Sequence, residues 1–324
     1  MTDVESSPGS GQVSVAGGRR RLRRVVGAVF MIVVAAAGGF ALYRQRHEFV
    51  QTLHQFGPGV VLGSLACTLL GVAASFPVWR EVLIGLGVRL PWAGGARLFF
   101  TSQLGKYVPG SVWPIVAQME AGRAWGASRR AMVAANLMTN LLNACIGLLV
   151  GCLLLPAYDA RALAHYGLAL IALPFLVALL HPKVIPGILD RALALVHRPP
   201  LRAEMPLTAE LRASAWSFFS WAALGLQLTV LCAALGHGGA STFLLCTGGM
   251  GLAYALGLLF LPAPAGAGVR EVVLAFVLRS ILPYGQALTV ALASRLMLIG
   301  GDLILATASV MLGQALARHD RQTR

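Results

Sequence analysis

The amino-acid sequence predicts an all-α, polytopic integral membrane protein of about eight transmembrane helices, with two segments broken by Gly and Pro. Three observations carry that prediction. Apolar residues make up 57% of the 324-residue chain and charged residues 12%, against a charged share of about 25% in soluble domains. The runs Val25–Tyr43, Phe49–Trp79, Ala131–Tyr158, Ala162–Pro182 and Ala213–Val269 contain no Lys, Arg, Asp or Glu. A spanning helix needs about 20 apolar residues, so these runs are of spanning length and the last suffices for two. Third, Lys and Arg gather between alternate runs, the bias that orients helices in a membrane.

The same observations exclude other classes. A transmembrane β-barrel would show alternating segments of about ten residues, and none is present. The net charge of +14 does not point to nucleic acid, because Arg19, Arg20, Arg21, Arg23 and Arg24 stand directly before a hydrophobic run. Cys67, Cys145, Cys152, Cys232 and Cys246 lie in apolar stretches without a CxxC pair, so they read as small membrane-core residues rather than metal ligands or disulfides. Neither a metal nor a cofactor is expected. No GxSxG, HExxH or Walker A motif occurs, so an enzyme is not expected either.

Taken in order, residues 1–24 are a Ser/Gly-rich tail ending in the Arg cluster, expected to be disordered and cytoplasmic. Val25–Leu42 is long for a signal peptide and precedes many spans, so it reads as an uncleaved first helix. Further spans are expected at Gly59–Trp79, Ala131–Leu155, Leu163–Leu180, Ala213–Leu235 and Ser241–Leu261, the last two joined by the Gly236–Gly239 turn. A final hydrophobic stretch runs from Gln286 to Ala317 and carries Arg295 and Asp302. Residues 25–317 then form one membrane domain, and 318–324 a cytoplasmic tail. With the N-terminus inside, segments 1–24, 80–130, 181–212 and 318–324 hold twenty Lys and Arg, against three in 44–58 and 156–162. Both termini are therefore expected in the cytoplasm of an inner-membrane protein. Even parity requires Val269–Leu282 to cross or to re-enter, although its length covers only about 21 Å of a ~30 Å core. Asp190–Arg198 reads as a short amphipathic surface helix.

Two segments depart from a simple bundle. Gln103–Pro114 (QLGKYVPGSVWP), continuing to Gln118, Glu120 and Arg123, and Leu261–Glu271 (LPAPAGAGVRE) each place Pro and Gly between hydrophobic stretches. Pro lacks a donor and Gly permits unusual dihedrals, so helices stop there and leave polar backbone groups. At membrane depth such groups persist only inside protein or along a watery cavity. The helix start after each break is a natural seat for a phosphate or carboxylate. Ordinary turn chemistry in two cytoplasmic loops is the plainer alternative.

Charges inside spans form a second signal. Arg295 and Asp302 are seven residues apart and share a helix face. Glu271 could pair with Arg295 if the chain folds back. A structural ion pair is the alternative to a functional one. Arg279 reads as a snorkelling residue, and Arg270 as either. Asn136, Asn140 and Asn143 share a face of their span and read first as interhelical packing contacts. Trp113, Trp125, Trp216 and Trp221, with His165, His181 and His237, suit interfacial positions.

On the two broken segments the chain resembles the lysylphosphatidylglycerol synthase transmembrane-region family, whose members are flippase-like. The resemblance spans roughly Val25 to Leu316. The family's Lys-Tyr-hydrophobic-Pro-Gly element matches Lys106, Tyr107, Pro109 and Gly110. Its Pro-Gly-Gly-x-Gly-x-x-Glu pattern matches Pro264, Gly266, Gly268 and Glu271, with Ala265 where Gly is usual. Arg295 would be the Arg of the last span. An acid common in the third span is replaced by the asparagines, which argues against proton coupling. The resemblance implies only the lipid-moving half, so no tRNA-dependent lysyl transfer is expected.

The function expected is binding or translocation of an amphipathic lipid with an anionic or glycosylated head. Lys106 and Arg295 would act as counter-charges, oriented by Glu120 and Glu271. Tyr107, Pro109, Gly110, Pro264, Gly266, Gly268, Arg270 and Asp302 would complete the head-group site. The partner is then a membrane phospholipid or lipid-linked glycan, and not a nucleic acid. Two other readings stay open: a non-transporting subunit that scaffolds a glycosyltransferase or envelope-assembly enzyme, and an embedded transferase with Glu271 as base. Homo-oligomerisation stays open too.

Overall fold

The computed structural model describes residues 46–107, 113–158, 173–181, 183–195, 205–259 and 266–322, and among these every regular element is helical. The helices are α1 (Arg46–Gln55), α2 (Pro58–Gly85), α3 (Trp92–Gln103), α4 (Trp113–Gly122), α5 (Arg129–Tyr158), α6 (Val184–Leu195), α7 (Leu207–Ala233), α8 (Ala240–Leu259), α9 (Val269–Leu278) and α10 (Tyr284–Gln322). Helical turns also occupy 173–179. Five helices, α2, α5, α7, α8 and α10, are long and apolar enough to cross a membrane.

Local chemistry explains their ends. Extended Gly57 precedes Pro58, whose fixed φ and missing N–H suit a first helical position. Helix α7 closes with Gly236 N–H donating to Ala233 O and His237 N–H to Cys232 O. Gly236 itself has φ +87°. This is the double-bonded stop that a left-handed glycine allows, and it turns the chain into α8 as the sequence predicts.

Packing relies on small residues. Helix α2 lies along α7, and α5 along α8. Gly147 and Gly151 of α5 meet Gly248 and Gly251 of α8 so closely that a Cβ on Gly147 would stand 2.9 Å from the Gly251 carbonyl oxygen. With no hydrophobic drive between helices in lipid, such backbone approach maximises dispersion contact. Deeper in the bundle, fully buried Gln227 of α7 donates to Ser64 Oγ of α2 at 3.1 Å and accepts from Ser294 Oγ of α10 at 2.9 Å. That string ties three spans where an unpaired amide would be costly.

The segments read as loop and short span differ from expectation. Residues 80–130 are mostly helical: α2 runs on to Gly85, and α3 and α4 flank the first break. The cause is an aromatic cluster of Phe76, Trp79, Trp92, Phe99 and Phe100, with neighbouring ring centroids 5.2–6.3 Å apart, that packs α3 on α2. At about 18 and 15 Å, α3 and α4 are too short to cross singly. Helix α9 has ten residues, about 15 Å, and packs between α8 and α10. The surface helix begins at Val184 rather than Asp190 and buries Ile185. Helix α10 extends to Gln322, into the stretch read as a tail. Residues 1–24, Val25–Leu42, His165 and most of Leu163–Leu180 lie outside the described residues, so neither the eight-helix count nor the tail is addressed by the fold.

Candidate functional site

A cavity of about 260 Å³ opens inside the bundle where the described ends of the two broken segments approach each other. Gln103, Lys106 and Pro114 line it from the first break, and Gly266, Arg270 and Glu271 from the second. Helix α5 contributes Asn136, Thr139, Asn140 and Asn143, α7 contributes Trp221, α8 contributes Tyr254, and α10 contributes Arg295 and Asp302. Apolar side chains such as Val72, Leu224, Met250 and Leu298 fill much of the remaining wall.

Helix α10 holds the charges. The seven-residue spacing puts Arg295 and Asp302 on its inner face, while Leu296 and Leu303 are exposed on the other side. The Lys106 ammonium lies 2.6 Å from Asp302 Oδ2, and the Tyr107 hydroxyl donates to the same oxygen. The Arg295 guanidinium donates to Glu271 Oε1 at 2.9 Å. The Arg295–Glu271 pair is largely removed from solvent and Asp302 is buried, with Lys106 a third exposed, so Arg295, Glu271 and Asp302 are sustained by their partners more than by hydration. Glu271 is also the third residue of α9, and its Oε2 accepts the Gly268 N–H at 2.7 Å. The carboxylate thereby satisfies an orphan donor and sits at the positive end of the helix dipole.

Arg270 is held differently. Its guanidinium carbon stacks 4.5 Å from the centre of the Tyr254 ring. Among the described residues it makes no ion pair and no hydrogen bond, and its Nε is buried without a partner. The stem passes two glycines: a Cβ on Gly257 would stand 2.7 Å from Arg270 Cγ, and one on Gly266 3.1 Å from its Nε. Gly266 also has φ +68°, which an L side chain rarely adopts. Gly257 and Gly266 therefore leave the room this arginine occupies.

A hydrogen-bond chain connects Tyr254 with the first break. Its hydroxyl donates to Asn140 Oδ1 at 3.1 Å, and Asn140 Nδ2 donates to Asn136 Oδ1 at 2.9 Å. Asn136 Nδ2 reaches Gln118 Oε1 at 3.3 Å, and Gln118 Nε2 donates to Ser102 Oγ at 2.9 Å. Asn143 accepts from Ser217 Oγ of α7 at 2.6 Å. The asparagines thus hold helices together, as their spacing suggests, and line the cavity as well.

Of the residues singled out in the sequence, Lys106, Tyr107, Gly266, Gly268, Arg270, Glu271, Arg295 and Asp302 come together at or beside the cavity. Pro109, Gly110 and Pro264 lie outside the described residues. Glu120 does not orient Lys106: it is exposed on α4 and pairs with Arg129 at 2.8 Å and Arg123 at 3.6 Å. Asp302 orients Lys106 instead, since α10 reaches the first break. Trp221 is not interfacial. It is buried, edge-on to Tyr254 at 5.1 Å. Tyr254 and Ser102 went unnoticed in sequence, and Gln118 was named there only as part of the first broken segment; a lone tyrosine in the long charge-free run is the one signal that marked Tyr254.

The donor set suits an anion held by cations and amides, and among the described residues no cluster of His, Cys, Asp or Glu could hold a metal. No curated protein gives a match to the chain. The family model for the lysylphosphatidylglycerol synthase TM region matches residues 23–306, taking in both breaks, Arg295 and Asp302. By that match over most of its length, this chain belongs to the lysylphosphatidylglycerol synthase TM region family.

Proposed function

We propose that the chain binds an amphipathic lipid with an anionic head in the cavity between its two breaks and carries that head across the cytoplasmic membrane, the tails staying in the bilayer. The observation that carries the reading is Arg270, an arginine that pairs with no carboxylate among the described residues, in a cavity inside the bundle whose two acids are each engaged by another cation. A charge inside a bundle costs a few kcal/mol and marks a substrate path more often than packing. The lining cations Lys106, Arg270 and Arg295 outnumber the acids Glu271 and Asp302, so one further negative charge balances the site. The start of α9, with its oriented N–H groups, stands beside it. The basic segments 1–24, 80–130 and 181–212 would face the cytoplasm.

The test uses liposomes carrying a fluorescent anionic phospholipid and a membrane-impermeant quencher. Wild type is expected to expose inner-leaflet label faster than empty liposomes do. Arg270→Gln, which breaks no ion pair, is expected to return the rate to the empty-liposome value. Equal rates for wild type and empty liposomes, with and without an ion gradient, would refute translocation of that lipid.

A further inference from the structure

We infer that Asn140 is a positioning residue for Arg270: it fixes the Tyr254 ring on which the guanidinium rests, and through Asn136 and Gln118 it ties that ring to the first break. The functional meaning of this tether rests on the reading of Arg270 above; its geometry does not. The polarity of the chain follows from two backbone carbonyls, which only accept. At the near end, Asn140 Nδ2 donates to the Asn136 carbonyl oxygen at 2.9 Å and to Asn136 Oδ1 at 2.9 Å. Both amide protons are spent there, so Asn140 presents Oδ1 to Tyr254 and the phenol must donate, at 3.1 Å. At the far end, Ser102 Oγ donates to the Phe99 carbonyl oxygen at 2.8 Å and therefore accepts from Gln118 Nε2 at 2.9 Å. Gln118 Oε1 is thereby turned to accept from Asn136 Nδ2 at 3.3 Å. Every donor from Tyr254 to Ser102 points the same way, and bonds aligned like this polarise one another.

The ring is therefore held by its rim. Asn140 of α5 takes its hydroxyl, and Trp221 of α7 meets it edge-on, with centroids 5.1 Å apart and planes inclined at 69°. What stays open is a face, and the Arg270 guanidinium carbon lies 4.5 Å from its centre. A phenol that donates its O–H carries more electron density in the ring, which strengthens its hold on a cation. The acids that line the cavity, Glu271 and Asp302, are engaged by Arg295 and Lys106. An untethered ring would let the Arg270 guanidinium swing towards them; the tether keeps its charge in the cavity without a carboxylate to neutralise it. Fully buried Gln118 stands on α4, just beyond the first break. The seat of Arg270 at the second break is thus braced from the first through neutral side chains, separately from the charged contacts of α10.

The experiment reads the reactivity of Arg270 directly and without lipid. The full chain in detergent micelles is treated with butanedione, and modification of each arginine is followed by peptide mass spectrometry, with Arg295 as the internal reference. Tyr254→Phe, which keeps the ring and removes the tether, and Asn140→Leu are each expected to speed modification of Arg270 about fivefold, the worth of about one hydrogen bond. Gln118→Leu is expected to speed it about twofold, because it loosens Asn136 and leaves Asn140 in place. Both larger changes act through one tether, so adding Asn140→Leu to Tyr254→Phe should alter the Tyr254→Phe rate by less than about twofold. An unchanged rate in Tyr254→Phe or in Gln118→Leu, or rates that multiply in the double variant, overturns the inference. Tyr254→Phe decides the matter even if Asn140→Leu yields no folded protein. Equal acceleration of Arg270 and Arg295 overturns it too, since that marks a general loosening of the bundle. The liposome assay judges the lipid reading separately: a wild-type rate equal to that of empty liposomes sinks that reading and leaves the tether standing.

Discussion

Replacing Glu271 with Gln removes one charge and keeps the side chain's shape, so it isolates what the ion pair with Arg295 contributes. At 2.9 Å, two unit charges attract by about 6 kcal/mol at an effective dielectric of 20. Most of this is offset by the desolvation both groups have already undergone, and breaking a buried pair costs about 3–5 kcal/mol in practice. Arg295 has a further contact beyond Glu271, which places the expectation at the low end, about 3 kcal/mol. The Gln side chain still accepts the Gly268 N–H, so the α9 cap survives. Glu271→Ala loses the cap too and is expected to cost about 1 kcal/mol more. The assay is reversible unfolding in mixed micelles followed by circular dichroism, run as a double-mutant cycle with Arg295→Met. Removing both members of the pair strands neither of them, so the double variant should recover much of the loss, with a coupling of about 2 kcal/mol or more. A coupling below about 0.5 kcal/mol would refute the claim that each ion is sustained by the other.

Further outcomes are expected from the packing and from the second pair. Gly147→Leu drives a side chain into the Gly251 carbonyl of α8 and should destabilise the bundle by about 3 kcal/mol or prevent recovery of monodisperse protein; unchanged unfolding would contradict the close approach of α5 and α8. Gln227→Leu unpairs Ser64 and Ser294 and is expected to cost about 1–2 kcal/mol in the same assay, because the freed hydroxyls can turn to their own helix backbones. Tyr107→Phe removes one of the two donors to Asp302 and is expected to cost about 1–2 kcal/mol, since Lys106 remains as the charged partner.

The fold class was legible because charge-free runs of spanning length do not suit a soluble domain, and the spans starting near Gly59, Ala131, Ala213 and Ser241 fall on α2, α5, α7 and α8. Helices α3 and α4 were hidden. Their apolar residues are interrupted by Arg97 and Glu120, and they are too short for a hydropathy signal, so tertiary packing holds them in place, α3 through Phe99 and Phe100 on α2 and α4 against α3 and α5. The pair Glu271–Arg295 could be anticipated, as both lie on neighbouring elements close in sequence. Lys106–Asp302 could not, since 196 positions separate its members and nothing in either neighbourhood names the other. Glu120, nearer in sequence to Lys106, was the wrong partner for that reason.

Helix α10 has a consequence that goes beyond the two bonds it makes. Arg295 grips the second break and Asp302 the first, seven positions apart on the helix. At 1.5 Å per residue the two grips are about 10 Å apart along a stiff rod. The separation of the breaks is thus gauged by a covalent ruler and not by how the flanking helices happen to lean. One extra residue between the grips would swing one of them by about 100° around the rod and take it off the cavity wall. The width of the gap between the breaks is therefore written into the chain as a number of residues, and any motion that widens it must carry both breaks with α10 or let go of one of them.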